Sequence, residues 1–344
     1  MTVERQLTTR ELRLALLARQ SLLTRSGAPV PALLEGVGGL QTQYAPSGYV
    51  GLWSRLADFH RDDLTTALEG RAVVQATLMR ATIHLVSARD YWLYAMGVRR
   101  ARQEWWLRSH KDAADVAALE QRAADLRQAL RDGPRSVAEL GDLARGPLGD
   151  IGLWVDLVRV PPSGTWERRR ADRLALAEDW IGPNEATEEQ GLEHLVSAYV
   201  RGFGPASYRD ISLWAGVPVT PLKAAVARLD LRHFLDEAGR GLVDIQGGPL
   251  PLVDTPTPVR FLPHWDANLL VHTRRTRLLP EAYRSRIFST KLPFSMGTVL
   301  VEGVVVGSWS VRDRRIDVEL FQQLSSTAAR DVREEAERLE EFHA

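Results

Sequence analysis

Residues 187–246 read TEEQGLEHLVSAYVRGFGPASYRDISLWAGVPVTPLKAAVARLDLRHFLDEAGRGLVDIQ, and the order of elements in this stretch decides the fold. A helix is expected over 187–201, ended by the breaker GFGPAS. A short helix follows over 208–214, then the turn AGVPV and a helix over 220–229. LRHFLDEAGRGLVDIQ closes the block as a hairpin, with Gly239 and Gly241 near its turn. Helix, turn, helix and hairpin wing is the winged-helix order, in which the helix after the turn enters a major groove.

The order recurs upstream. Residues 115–130 read as a helix with apolar positions at 116, 119, 126 and 130, ended by Gly133-Pro134. Ser136 and Glu139 form a capping-box pattern at the start of SVAELGDLA. GPLGD reads as a turn, IGLWVDLVRV as a helix packed on one side, and PPSGTWERRRADRLALAE as a Gly-turned pair of extended stretches. The first block is looser. Thr8 or Thr9 caps TRELRLALLARQSLL, PVPALLEGVGGLQTQ reads as a second helix with Pro at its start, YAPSGYVGL as a polar loop, and 62–69 as a short helix. AVVQATLMRATIHLVSA suits a hairpin wing, and RDYWLYAMGVRRARQEWWLRSH a long linking helix. From Pro249 the pattern turns to period two, with PLPLVDTPTPVRFLP leading to strands such as TVLVEGVVVGSWSV, where Gly303 turns a hairpin. A charged amphipathic helix ends the chain, expected to pack Leu320, Phe321, Leu324, Val332 and Leu339 on that sheet. The reading is therefore an α+β fold of three tandem winged-helix motifs with a C-terminal β-domain and terminal helix, divided at 1–110, 111–185, 186–248 and 249–344.

With 344 residues and 44% of them hydrophobic, the chain can bury a sizeable core. It contains no cysteine, so disulfides and thiolate chemistry are excluded. No stretch approaches the roughly 20 apolar residues of a membrane span, and the N-terminus lacks the uninterrupted apolar core of a secretory signal. A cytoplasmic protein without a membrane partner is expected. Basic and acidic residues both number 44, so net charge makes no case for nucleic acid. The distribution is uneven: residues 260–291 hold seven basic and two acidic side chains, and residues 330–344 three basic and six acidic ones. Only Lys111, Lys223 and Lys291 are lysines, a bias that a GC-rich genome also produces.

Gln41 and Gln43 of GLQTQYAPSG lie where an apolar helix is expected to run out, placed to reach into a cleft with amides that both donate and accept. Read alone, two glutamines satisfying a helix end or solvent is the plainer account. Alternation sets Thr82 and His84 on one strand face with Arg80, and a core histidine bonded to backbone is the alternative for His84. The histidines show no HExxH spacing, so neither a metal site nor a cofactor is expected. Ser47 and Ser163 lack a GxSxG surround. WERRRADR, with Arg168, Arg169 and Arg170, and HTRRTRLLPEAYRSR, with Arg274, Arg275, Arg277 and Arg284, are candidate phosphate-binding clusters together with Lys223; solvated surface is the alternative for each arginine. The tryptophans, Trp105 and Trp106 included, are expected in cores.

GLQTQYAP near residue 40, LMRATIHLVSARDYW about 40 residues later, the repeated blocks, and FLPHWDANLLVH followed by VLVEGVVVGSW together resemble the actinobacterial AlkZ-like winged-helix DNA glycosylases over nearly the whole chain. That resemblance implies a C-shaped molecule that cleaves the N-glycosidic bond of purines alkylated by bulky natural products in double-stranded DNA; a monomer is expected. It places the family's Q-apolar-Q catalytic motif on Gln41 and Gln43, with Thr42 as a departure at the middle position, and gives Thr82 and His84 as support. The small-residue stretch APSG reads as an open cleft, which leaves the damaged nucleotide stacked instead of extruded into a pocket. A tandem winged-helix regulator, and more distantly a drug-sequestering protein, are the competing functions.

Overall fold

The computed structural model describes residues 2–110, 115–144, 152–270, 275–288 and 295–344. The fold is α+β. Local signals are realised where they are strongest. Thr8 and Glu11 form a capping box on α1 (Thr9–Arg19), Ser136 and Glu139 on α7 (Val137–Leu140), and Thr187 and Gln190 on α9 (Glu188–Phe203). Asp115 caps α6 (Val116–Leu130) and Ser87 caps α5 (Ala88–Ser109). The decisive block follows its expected order, with α10 (Tyr208–Ala215), α11 (Val219–Val226) and the hairpin β8 (Leu231–Asp236) and β9 (Gly241–Ile245).

Among the described residues, three sheets organise the chain. Strands β2 (Leu40–Gln41), β3 (Val73–Thr77), β4 (Ile83–Ser87), β5 (Arg135–Ser136), β6 (Leu157–Arg159) and β7 (Arg173–Leu176) form one antiparallel sheet in the order β2-β4-β3-β6-β7-β5. The hairpin of the first block is thus continuous with the strands of the second, through Gln75 opposite Arg159 and Ala76 opposite Val158. The second sheet is β8–β9 with the N-terminal β1 (Gln6–Leu7) added parallel to β8. The third is the meander β10 (Arg260–Leu262), β11 (Gly297–Val301), β12 (Val304–Arg312) and β13 (Arg315–Leu320). Helix α14 (Ser326–His343) covers it with Val332 and Leu339, both buried. Leu324 is partly buried there, whereas Phe321 packs against a different core beside Tyr283, at 5.1 Å, and Leu320 is 40% exposed. Among the described residues no helix is long and apolar enough to cross a membrane.

Three expectations are corrected. YAPSGYVGL is no loop. Residues Ala45–Trp53 form helix α3, with Pro46 in its first turn where a missing N–H costs nothing. All nine of its residues are buried, so no amphipathic stripe marks it. PVPALLEGVGGLQTQ is helical only over α2 (Val30–Val37); Gly38 takes a left-handed conformation, and the chain leaves as strand β2, so Gln41 sits on a strand and not at a helix end. IGLWVDLVRV is not a helix either. From residue 152 it is a turn leading into β6, whose Val158 is buried by pairing with β3, a partner remote in sequence. The turn expected at GPLGD lies outside the described residues. Trp106 is buried as expected, but Trp105 is 52% exposed.

Candidate functional site

Strand β2 runs along the edge of β4, with Gln41 opposite His84. The ladder continues one step as Thr42 N–H donates to the Ile83 carbonyl at 2.8 Å. At the next position a side chain replaces the backbone: Ile83 N–H donates to Oε1 of Gln43 at 2.6 Å. Oε1 of Gln41 accepts from Nη2 of Arg80 at 2.6 Å. Each amide oxygen is therefore fixed by one donor from the β3–β4 hairpin and retains a second lone pair. Neither amide nitrogen has a partner among the described residues. Gln41 is 6% exposed, while Gln43 is exposed.

Arg80 is not on the strand face with Thr82 and His84, as alternation implied. It and Ala81 form the tip of the hairpin, at φ 53° and 56°, in a left-handed conformation that costs a side-chain-bearing residue roughly 1–2 kcal/mol. The tip persists because its side chain is held twice, by Gln41 Oε1 and by the Trp214 carbonyl on α10. Thr82 Oγ1 donates to the Met79 carbonyl at 3.0 Å and closes the turn.

His84 is 1% exposed. Its Nδ1 donates to the Thr82 carbonyl at 3.0 Å, which fixes Nε2 as an acceptor, and Nε2 is buried without a partner. Burial and then the Arg80 charge push its pKa down to about 3, so it is neutral at pH 7. Arg102 and Arg159, both absent from the sequence expectations, lie beneath: Arg102 donates to the Thr77 carbonyl at 2.8 Å and Arg159 to Thr77 Oγ1 at 3.1 Å. Burial draws both guanidinium pKa values down to about 10. This interior is cationic, and it offers His84 no reason to take a proton.

Beside the pair opens a chamber of about 620 Å³, lined by Tyr44, Ser47, Arg169, His264, Trp265, Trp309 and His343 among others. Tyr44 directly follows Gln43, and APSG, far from being an open loop, is the first turn of the buried helix that forms one wall. An aromatic chamber thus stands next to the residue that follows Gln43, although neither glutamine lines it. Arg169 crosses from the second block to donate to the Tyr44 hydroxyl at 2.8 Å. Trp265 is held at φ 65°, and three contacts fix the segment around it. Trp265 N–H donates to Ser295 Oγ at 2.6 Å, His264 Nδ1 to the Ser295 carbonyl at 2.7 Å, and the next residue, Asp266, pairs with Arg55 at 2.9 Å with both side chains buried. Losing either partner of that pair would strand a buried charge, at a cost of roughly 3–5 kcal/mol.

Of the other candidates, Arg168 and Arg170 are exposed near Arg169, and Arg170 pairs with Asp172 at 3.0 Å. Lys223 is exposed on α11, about 6.0 Å from the Tyr208 ring, and does not line the chamber. Arg275 and Arg277 bound a single 3₁₀ turn, Arg277 half-buried, and Arg284 pairs with Glu281 at 3.2 Å. Arg274 lies outside the described residues. The structure thus gathers Gln41, Gln43, Thr82, His84 and Arg169 about one site. Arg80 is a further member; Tyr44 and the His264-Trp265 segment line the adjoining chamber, the last within a quoted motif whose role the sequence did not disclose.

The fold is that of a known structure, Streptomyces sahachiroi DNA glycosylase AlkZ, with a TM-score of 0.82 over 98% of this chain and 97% of that one at 17% identity. No curated protein sequence matches the chain. The family model for DNA glycosylase AlkZ-like proteins matches residues 34–342, a span that takes in β2, the strained hairpin and the aromatic chamber alike. This chain belongs to the AlkZ-like DNA glycosylase family.

Proposed function

We propose that the protein is a monofunctional glycosylase that hydrolyses the N-glycosidic bond of bulky N7-alkylated purines in double-stranded DNA, serving repair of, or self-resistance to, DNA-alkylating natural products. It acts as a cytoplasmic monomer, with winged-helix units at 1–110, 111–185 and 186–248 on a β-domain at 249–344. The observation that carries this reading is the glutamine pair, with both amide oxygens fixed by the hairpin and both amide nitrogens unengaged.

The chemistry matches that arrangement. An N7-alkylated purine is already a cation, so the C1′–N9 bond breaks with its electron pair moving into the ring and no proton needed. Water then forms the new bond to C1′ and releases its proton to solvent. What remains is to orient that water and to face the developing oxocarbenium with carbonyl dipoles, for which the second lone pairs of Gln41 and Gln43 serve. Neutral His84 supports the same reading, since a site built to protonate a leaving group would keep an acid beside the pair. Thr82 and His84 hold the hairpin and do not touch substrate. Arg168, Arg169, Arg170, Lys223, Arg274, Arg275, Arg277 and Arg284 meet phosphates.

The test is incubation with a duplex carrying one N7-alkylguanine, followed by assay of free base and abasic sites. Release by the wild-type protein and its loss in Gln41→Ala supports the proposal. Tight duplex binding without release would give the chain to the regulators. Arg169→Glu should weaken binding to damaged and undamaged duplex alike and lower the salt slope by about one; unchanged affinity returns Arg169 to solvated surface.

A further inference from the structure

The chamber beside Gln43 is larger and more aromatic than the hydrolysis demands. Its walls come from four separate parts of the chain: Tyr44 and helix α3, Arg169, the His264-Trp265 segment, and the β12–α14 pair of Trp309 and His343. The rings frame the space without filling it: Tyr44 stands edge-on to His264 at 6.4 Å, and Trp309 lies 5.7 Å from His264 and 6.1 Å from His343. At about 620 Å³ the volume falls within the range that holds drug-sized molecules.

Two polar atoms in its lining are buried without a partner, Ser47 Oγ and His343 Nε2. Burial, followed by the charges of Arg169 and Arg61, draws the His343 pKa down to about 4, so the imidazole in the chamber wall stays neutral. Trp265 is held in a conformation that costs an indole-bearing residue about 1–3 kcal/mol, fixed there by Ser295 and by the Arg55–Asp266 pair. Such strain, over-determined by its surroundings, marks a side chain whose position matters.

We infer that the chamber receives a planar aromatic appendage carried by the alkylated purine, stacked against Trp265 and Tyr44, while the purine itself stays before Gln41 and Gln43. A nucleobase alone would be read by convergent donors and acceptors at its edge. This lining instead presents ring faces and few polar groups, the surface that a fused aromatic system recognises. The inference rests on the glycosylase reading for its substrate and on the chamber alone for its ligand.

Two adducts separate the possibilities: N7-(pyrenylmethyl)guanine and N7-methylguanine, each placed once in the same duplex. Trp265→Gly removes the ring and suits a positive φ. Val311→Trp narrows the mouth from a 44% exposed position, so it keeps the test open if the first variant folds poorly. Both variants should lower kcat/KM for the pyrenylmethyl adduct by roughly tenfold or more, the scale of one lost stacking partner, and leave the methyl adduct within about twofold. Energy transfer from tryptophan to free pyrenemethanol should appear with the wild-type protein and vanish with either variant. Equal losses on both adducts would mean that the chamber takes the base itself. Unchanged rates on both, or no pyrenemethanol binding, would overturn the inference directly. Failure of the wild-type protein to release either base, with pyrenemethanol binding intact, would sink the reading of the reaction and leave the chamber as an aromatic-ligand site.

Discussion

Among the hairpins that turn through positive φ, β8–β9 and β3–β4 do so on different terms. The β8–β9 hairpin places Gly239 at φ 74°, where no Cβ is penalised. Its tip, 237–240, is exposed, and Asp236 organises it by accepting from Ala238 and Arg240 N–H groups at 2.8 and 3.0 Å. The β3–β4 hairpin puts Arg80 and Ala81 where glycine or asparagine would be expected. It is held from two directions, by Gln41 on the neighbouring strand and by Trp214 on α10. One turn is relaxed by glycine, and the other is strained and borne by its neighbours. The strained one carries the donors that fix both glutamines.

Gln43→Ala should break the contrast most severely. Base release is expected to fall by roughly 10²-fold or more, the scale of losing one positioning or electrostatic group, with the fold retained because Gln43 is exposed. Equal activity would remove Gln43 from the chemistry. Arg80→Ala should come next, lowering kcat about tenfold and stability by about 1–3 kcal/mol through loss of its hydrogen bonds to Gln41 and Trp214. Arg80→Gly should regain part of that stability by relaxing φ, but not the lost rate. Full activity in Arg80→Gly would show that the strained anchor is irrelevant to Gln41.

The pH dependence of stability sharpens the comparison further. His84 titrates at about 3 in the folded chain against an ordinary value of 6.5. Below 6.5 the unfolded chain takes up a proton that the folded chain refuses, so stability falls as the pH drops toward 3, by roughly tenfold in the folding equilibrium per pH unit. Thermal melts between pH 7 and 4 should show at least that slope, since His194 and His343, both drawn down to about 4, refuse protons over the same range, and His84→Asn should lower it by one proton's share; an unaltered slope would argue against a histidine held neutral. Gly239→Ala should do least, costing roughly 1–2 kcal/mol for a Cβ at positive φ with no change in rate. A loss of rate there would mean that the relaxed hairpin is coupled to the site after all.

What the sequence disclosed follows the range of the forces involved. Capping boxes at Thr8, Ser136 and Thr187 act over three residues and were legible at once. The order of helices and hairpin in 187–246 needed only periodicity and turn residues. Helix α3 was missed because its reason is tertiary: a Cβ on Gly48 would stand 2.5 Å from Leu85 Cδ1, so glycine there serves packing against β4 and not a loop. The strand at Leu157–Arg159 was missed because its apolar spacing also suits a helix, and pairing with β3 settled the matter. The glutamines stood out in the sequence, but Gln41 lies on a strand edge and Gln43 just past its end, not at a helix end. The chamber was out of reach, since Tyr44, Arg169, Trp265, Trp309 and His343 lie far apart in the chain and share no local pattern.

The parallel pairing of β1 with β8 has a consequence in time. Gln6 reaches across to the carbonyl of Asp236, 230 residues further along. At the usual rate of synthesis, roughly 5–20 residues per second, that interval lasts on the order of 10–50 s. Through all of it, Gln6 and Leu7 have left the ribosome while the strand they complete does not yet exist. An element near the start of the chain is therefore among the last to be seated, and a pause in translation before residue 231 would leave its edge open to whatever else in the cell can pair with it.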